Sequence, residues 1–397
     1  MKAYKYIIVG GGMTGSAAVP GIRKNDPEGS IAMFSKEPFG PYNRPPLTKG
    51  LWDGKDIESI VRPMEQYQVD LFLETPIDEI SPDHKQVRTA AGEKFGYEKL
   101  LIATGGDPIN IPGSPEGVIA YRTRSDFHLV ENLVKEKNNF CIIGGGFIGS
   151  ELAAAMRKNQ KQVTMIFPEA GICGELFPED LAGFLIHYYQ EKGVEVIKEN
   201  LVDTINKDGE QFTVQYHNID DQQVAEASFD VVIVGIGIKP NTELAEAAGI
   251  EVDNGIIVNE TLQTNYTDIF AAGDVANFKH IPLGKRVRVE HEDNANSMGM
   301  LAGQNMSGEL QTYDHFPFFY SDLFDLGYEA VGDIGKEIEI FEDWIEPFKK
   351  GTIFYLEEGR IQGIIFWNLW DKVDQGRELV QSGKSFTKSD LKGMFKS

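Results

Sequence analysis

Tyr6-Ile7-Ile8-Val9-Gly10-Gly11-Gly12-Met13-Thr14-Gly15-Ser16-Ala17 stands near the start of the chain. It returns as Phe140-Cys141-Ile142-Ile143-Gly144-Gly145-Gly146-Phe147-Ile148-Gly149-Ser150-Glu151. Each copy reads as an apolar strand, a glycine-rich turn and the opening of a helix. Chemistry asks for glycine at three of these places. The first permits a tight turn, the second lets a diphosphate reach the backbone, and the third lets helix and strand pack closely. The helix N-terminus then attracts the anion. One such run is weak testimony, because glycine turns are common. Two copies, each between a strand and a helix, predict two dinucleotide-binding units. The candidate contacts are Gly10, Gly12, Met13, Thr14 and Gly15 in the first, and Gly144, Gly146, Phe147, Ile148 and Gly149 in the second.

A unit of this kind places an acid about twenty residues further on, at the end of its second strand, to hold the adenosine ribose. Glu169 fills that place after Gln162-Val163-Thr164-Met165-Ile166-Phe167. A carboxylate there accepts hydrogen bonds from ribose hydroxyls and repels a 2′-phosphate, which favours NADH over NADPH. The bland alternative is a solvated loop glutamate. In the first unit, Ile31-Ala32-Met33-Phe34 leads to Ser35-Lys36-Glu37, so Glu37 is the candidate, with Lys36 beside it as a complication. Pro20 falls inside the first helix and is expected to kink it.

Further strands end in glycine. Leu100-Leu101-Ile102-Ala103-Thr104-Gly105 closes the first unit, and Val231-Val232-Ile233-Val234-Gly235-Ile236-Gly237 closes the second. Asp268-Ile269-Phe270-Ala271-Ala272-Gly273-Asp274 sets a carboxylate after a buried strand, where it can bond a polyol chain.

Composition narrows the partners. The chain has 397 residues, with 61 acidic against 38 basic and a net charge of -23. Such a surface repels polyanions, so nucleic acid is not an expected partner. No apolar run is long enough to span a membrane. The first residues run straight into a strand, leaving no room for a leader, and the expected compartment is the cytoplasm. The two cysteines, Cys141 and Cys173, form neither a C-x-x-C pair nor a metal-ligand pattern, so no metal site is expected. Cys141 lies in an apolar strand and is expected in the core; Cys173, in a glycine-rich loop, is open to exposure.

Taken together, these motifs resemble the FAD-dependent pyridine nucleotide oxidoreductases. Pro41-Tyr42-Asn43-Arg44-Pro45-Pro46-Leu47-Thr48-Lys49 is similar to the segment shared by ferredoxin and rubredoxin reductases, monodehydroascorbate reductase and apoptosis-inducing factor. Phe167-Pro168-Glu169, Arg288-Val289-Glu290-His291 and Phe319-Tyr320-Ser321-Asp322-Leu323 look nearest to the last of these. The chain departs from that pattern in three ways. Tyr320 stands where the family has tryptophan, Asn294 where it often has histidine, and Gly335 to Lys350 leaves no room for a long C-terminal insertion.

The resemblance implies an α/β fold with two Rossmann-like domains, the NAD domain inserted in the FAD domain, plus a C-terminal α+β domain. The expected boundaries are 1–116 and 241–316 for FAD, 117–240 for NAD and 317–397 for the last. FAD and NADH are the implied cofactors, and NADH:acceptor oxidoreduction without a redox disulfide is the implied reaction. The alternative is a slow, NADH-responsive redox sensor or assembly factor. The acceptor would be a quinone, another small molecule, or an iron–sulfur or rubredoxin protein, and a homodimer is the assembly to test.

Residue by residue, the resemblance implies that Lys49 and Glu151 meet beside the flavin and that Glu290 and His291 border the nicotinamide. These four are the implied catalytic residues. Arg44 is implied at the FAD diphosphate, Asp274 at the ribityl chain and Tyr320 near the flavin, with Phe147 shielding the flavin face. Ala103, Thr104, Gly105, Gly237 and Gly273 complete the implied cofactor contacts. The helix starting near Asp293 is expected to aim its N-terminus at the pyrimidine ring.

Overall fold

A computed structural model describes residues 1–280, 284–335 and 338–395. The chain divides into two compact units. One comprises Met1–Arg44, Asp56–Asp107 and Lys239–Phe318; the other comprises Pro45–Lys55, Pro108–Ile238 and Phe319–Ser397.

Both glycine runs fold as the sequence predicts. β1 (Lys2–Val9) leads into α1 (Met13–Asn25), and β2 (Asn139–Ile143) leads into α2 (Phe147–Lys158). Each strand is central in its sheet and pairs in parallel with a neighbour on both sides. β1 pairs with Ile31–Phe34 on one side and Lys94–Ile102 on the other, and Ile269–Ala271 adds to Lys94–Ile102. β2 lies between Gln162–Ile166 and Val231–Val234. Strands covered on both faces need unbroken apolar runs rather than alternation. Ile7, Ile8, Leu100, Leu101, Ile269 and Phe270 accordingly have 0% exposure in the first unit. Pro20 lies inside α1 without ending it.

The first unit is completed by α3 (Glu292–Ser307), which packs along α1. The contact is close because glycine lines it: a Cβ on Gly299 would lie 2.3 Å from the Thr14 carbonyl oxygen, and one on Gly303 2.0 Å from that of Ala18. The second unit adds a three-stranded antiparallel sheet, Asn200–Asp208, Gln211–Asn218 and Val224–Phe229. It also holds a C-terminal antiparallel sheet in the order Phe318–Leu323, Leu326–Gly332, Arg360–Trp367, Lys350–Glu357, Glu339–Glu346. No helix among the described residues is long and apolar enough to cross a membrane.

Candidate functional site

In the first unit the turn after β1 is built by exclusion. Gly10 has φ +123°, and a Cβ on it would lie 2.1 Å from the Ala103 carbonyl oxygen; one on Gly15 would lie 2.1 Å from that of Gly10. Gly12 differs, because its Cβ would meet nothing within 4 Å. It is also the N-cap of α1, and no side chain caps the helix there. An open cradle at an uncapped helix N-terminus fits a diphosphate, whose oxygens can accept from the first-turn N–H groups. Met13 and Thr14 form that first turn. Ala103-Thr104-Gly105 is held beside it by Asn241: Thr104 Oγ1 donates to the Asn241 carbonyl at 2.9 Å, and the Asn241 amide donates to the Gly105 carbonyl at 3.0 Å.

Glu37 does not stand alone. Its carboxylate accepts from Tyr42 Oη at 2.5 Å and from Arg44 Nη2 at 2.6 Å. Asp274 sits in a short turn, Gly273–Val275, opened by Gly273 at φ +77°. Glu290 is paired with Arg288 at 2.6 Å. His291 is the N-cap of α3, and burial pushes its imidazole down to about 4, with Asp274 and Asp293 opposing. At neutral pH the ring is therefore uncharged, able to donate from one nitrogen and accept at the other. Asn294 is buried, donating to the Val289 carbonyl at 3.0 Å and accepting from Tyr313 Oη at 2.9 Å.

The second unit repeats the first turn's geometry. Gly144 has φ +119° and its Cβ would lie 2.4 Å from the Gly235 carbonyl oxygen; that of Gly149 would lie 2.0 Å from the Gly144 carbonyl oxygen. Gly146 again faces open space and is the uncapped N-cap of α2. Beyond the second strand, Glu169 Oε2 is buried with no hydrogen-bond partner. A buried acceptor left unsatisfied costs about 1–3 kcal/mol. A ribose hydroxyl would supply the missing donor, so the residue fits the role its position predicts. Gly237 holds φ +105°, and its carbonyl accepts from the Ile109 amide at 2.9 Å.

Lys49 and Glu151 do meet. Lys49 Nζ lies 2.7 Å from Glu151 Oε1, with side-chain exposures of 13% and 3%. Two hydroxyls that the sequence reading missed complete the carboxylate: Ser321 Oγ donates to Oε1 and Thr48 Oγ1 to Oε2, both at 2.5 Å. Thr48 was visible beside Lys49. Ser321 carried no signal beyond following Tyr320. The Lys49 ammonium also stands 5.3 Å from the Tyr320 ring centre. Phe147, at the start of α2, packs 5.3 Å from Phe319 and 6.5 Å from Tyr328 between ring centres. A cavity of about 350 Å³ opens beside the pair, lined by Lys49, Trp52, Glu151, Lys158 and Tyr320 among others.

Cys173 corrects one expectation. It is buried, not exposed, because its loop folds inward: its amide donates to the Gly145 carbonyl at 2.9 Å and its carbonyl accepts from Leu176 at 2.9 Å. Burial pushes its thiol up to about 12 and raises that of Cys141 as well. Both cysteines are free. No cluster of three metal-ligating side chains occurs among the described residues.

Comparison with known proteins agrees with this geometry. The family described as pyridine nucleotide-disulphide oxidoreductase matches residues 4–299, and the C-terminal family of mitochondrion-associated apoptosis-inducing factor matches residues 336–382. The chain is 33% identical to apoptosis-inducing factor 1, mitochondrial, of Dictyostelium discoideum, over 96% of its own length and 79% of the relative's. It is 32% identical to the ferredoxin reductase subunit of 5,5'-dehydrodivanillate O-demethylase from Sphingobium, over 96% and 94%. Among solved structures, the ferredoxin reductase for the CYP199A2 system from Rhodopseudomonas palustris superposes with a TM-score of 0.90 at 25% identity, covering 98% of both chains.

Proposed function

The chain belongs to the pyridine nucleotide-disulphide oxidoreductase family, and from that premise we propose that it passes electrons from NADH directly to a small iron–sulfur protein. It is an FAD-dependent NADH:acceptor oxidoreductase, and its cofactors are FAD and NAD(H). The iron–sulfur acceptor is our reading, supported by the two ferredoxin reductases that it resembles. The observation that carries direct delivery is the state of the thiols. The chain has two cysteines, both free, buried and raised in pKa, so no dithiol relay stands between cofactor and acceptor.

FAD, when bound, supplies hydride acceptance from NADH and onward release of electrons. The rest falls to the chain. We assign the FAD domain to 1–116 and 241–316, the NAD domain to 117–240 and the C-terminal domain to 317–397. Gly10, Gly12, Met13, Thr14, Gly15, Ala103, Thr104, Gly105 and Gly273 bind FAD through backbone approach, and Arg44 acts at its diphosphate. Glu37, already bonded to Arg44, orients that guanidinium as well as the ribose. Asp274 takes the ribityl chain. Gly144, Gly146, Phe147, Ile148, Gly149 and Gly237 hold the nicotinamide dinucleotide, and Glu169 excludes a 2′-phosphate by charge. Lys49, fixed by Glu151, sets a positive charge at the flavin ring beside Tyr320. Glu290 and neutral His291 border the nicotinamide. The compartment we assign is the cytoplasm, in keeping with two unpaired cysteines.

The match to the C-terminal family of apoptosis-inducing factor supports a second reading, a slow NADH-responsive redox sensor or assembly factor whose association changes with NADH. Anaerobic stopped-flow mixing of the yellow holoprotein with NADH and with NADPH separates the two. Bleaching within seconds, selective for NADH, and subsequent reduction of an added ferredoxin support the reductase. Bleaching over minutes, with dimerisation on NADH addition, overturns it in favour of the sensor.

A further inference from the structure

Arg62 carries no motif, yet the first unit folds around it. Its Nε donates to Asn43 Oδ1 at 2.6 Å, its Nη2 to Asn296 Oδ1 at 2.6 Å, and its Nη1 to both the Met13 carbonyl and Ser16 Oγ at 3.0 Å. Four of the five guanidinium N–H groups are thereby used. Every acceptor is neutral. Burial lowers the pKa of the group, with Glu292 opposing the shift. In a chain with 61 acidic residues, a half-buried cation bonded only to neutral oxygens needs a reason.

Its place makes the need sharper. Met13 and Ser16 lie in the first turn of α1, and Asn296 lies early in α3. Those are the positive ends of both helices, where a cation is unfavourable. Arg23 is the contrast. It too bonds only neutral oxygens, in its case the backbone carbonyls of Tyr67, Asp26, Gly29 and Gln68. But it stands in the last turn of α1, where the helix favours a cation, and it reads as a structural clasp. Arg62 stands at the wrong end for that reading, bonded to the carbonyl of Met13, the residue that follows Gly12. It also ties in the segment that leads to Arg44, since the Arg62 amide donates to the Pro41 carbonyl at 2.8 Å and the Asn43 amide to the Ile60 carbonyl at 2.8 Å.

We propose that Arg62 is a positioning residue for the FAD diphosphate: it locks the first turn of α1, the start of α3 and the Arg44 segment together, and its charge, hydrogen-bonded only to neutral oxygens, is balanced by the bound anion. This rests on the flavoprotein reading, which uptake of FAD by the wild-type apoprotein tests separately. The experiment is titration of wild-type and R62Q apoprotein with FAD, ADP and adenosine, with melting of the apoprotein alongside. R62Q keeps a hydrogen-bonding side chain and loses the charge. The expected result is about tenfold or greater weakening for FAD and ADP, with adenosine, which lacks the diphosphate, unchanged. FAD affinity within about twofold of wild type overturns the proposal. So does a loss for adenosine as large as that for ADP, because it would mark a clasp that shapes the whole pocket. Should R62Q not fold, R62K takes its place: Lys cannot bridge four acceptors, so a smaller loss for FAD and ADP is expected, and an equal loss for adenosine again overturns the proposal.

Discussion

Glu151 receives Lys49 on one carboxylate oxygen at 2.7 Å, and both partners are withdrawn from water. The pair gathers three separated stretches of chain. Lys49 and Thr48 come from the Pro45–Lys55 segment, Glu151 from α2, and Ser321 from the C-terminal sheet. That is why Pro45–Lys55 belongs to the second compact unit although its sequence neighbours belong to the first. Tyr121 Oη also ties the segment down by donating to the Leu47 carbonyl at 2.6 Å, and Trp52 Nε1 braces it internally through the same carbonyl at 2.8 Å.

Removing one partner leaves the other charge buried and unpaired. Lys49→Met is expected to lower stability by up to about 3 kcal/mol and to slow flavin reduction by NADH. Glu151→Gln keeps the shape and one acceptor oxygen for a hydroxyl, and is expected to cost less. Thermal melts and stopped-flow traces on both variants check this. Wild-type reduction kinetics in a folded Lys49→Met protein would separate the lysine from the flavin.

Glu169→Ala is expected to weaken NADH binding about tenfold and to narrow the gap between NADH and NADPH, while FAD content stays at the wild-type level. Paired titrations with the two nucleotides read this out. An unchanged preference would remove the basis for the NADH assignment.

The glycines of one turn should separate by role. Gly144→Ala forces a side chain into φ +119° and onto the Gly235 carbonyl at 2.4 Å, so loss of the folded second unit is expected. A Cβ on Gly146 meets nothing within 4 Å, and Gly146→Val extends a side chain into that open space. It should fold with a near-wild-type melting temperature and bind NADH poorly, because the new side chain fills the cradle. Equal melting losses in the two variants would show that both positions are structural.

His291 makes stability depend on pH. Its folded pKa of about 4 lies below the unfolded value near 6.5, so between those limits the unfolded chain binds the extra proton. Stability is intact above about pH 6.5 and falls as pH drops towards 4, by no more than about 3 kcal/mol. His291→Asn should flatten this part of the stability curve relative to wild type in denaturant titrations. A curve that overlays the wild type would show that the imidazole is not the group responsible.

The sequence alone determined the two strand–turn–helix units, the acid after the second of them and the absence of a dithiol relay. Each is a local requirement: a glycine that must turn, a strand that must be apolar throughout, a carboxylate at a fixed distance along the chain. Lys49 and Glu151 were legible only through resemblance, since a lysine after Arg44-Pro45-Pro46-Leu47-Thr48 looks like any surface lysine. The tertiary structure alone decided the rest. It brought Thr48 and Ser321 onto one carboxylate, turned Cys173 inward, gave Glu37 to Tyr42 and Arg44, and left Arg62 among neutral oxygens. No periodicity or spacing encodes these: the Glu151 and Arg62 contacts need segments distant in sequence to meet inside the fold, and those of Glu37 need one short loop to close on itself. What a buried charge meets there, rather than its neighbours along the chain, sets its partners and its protonation.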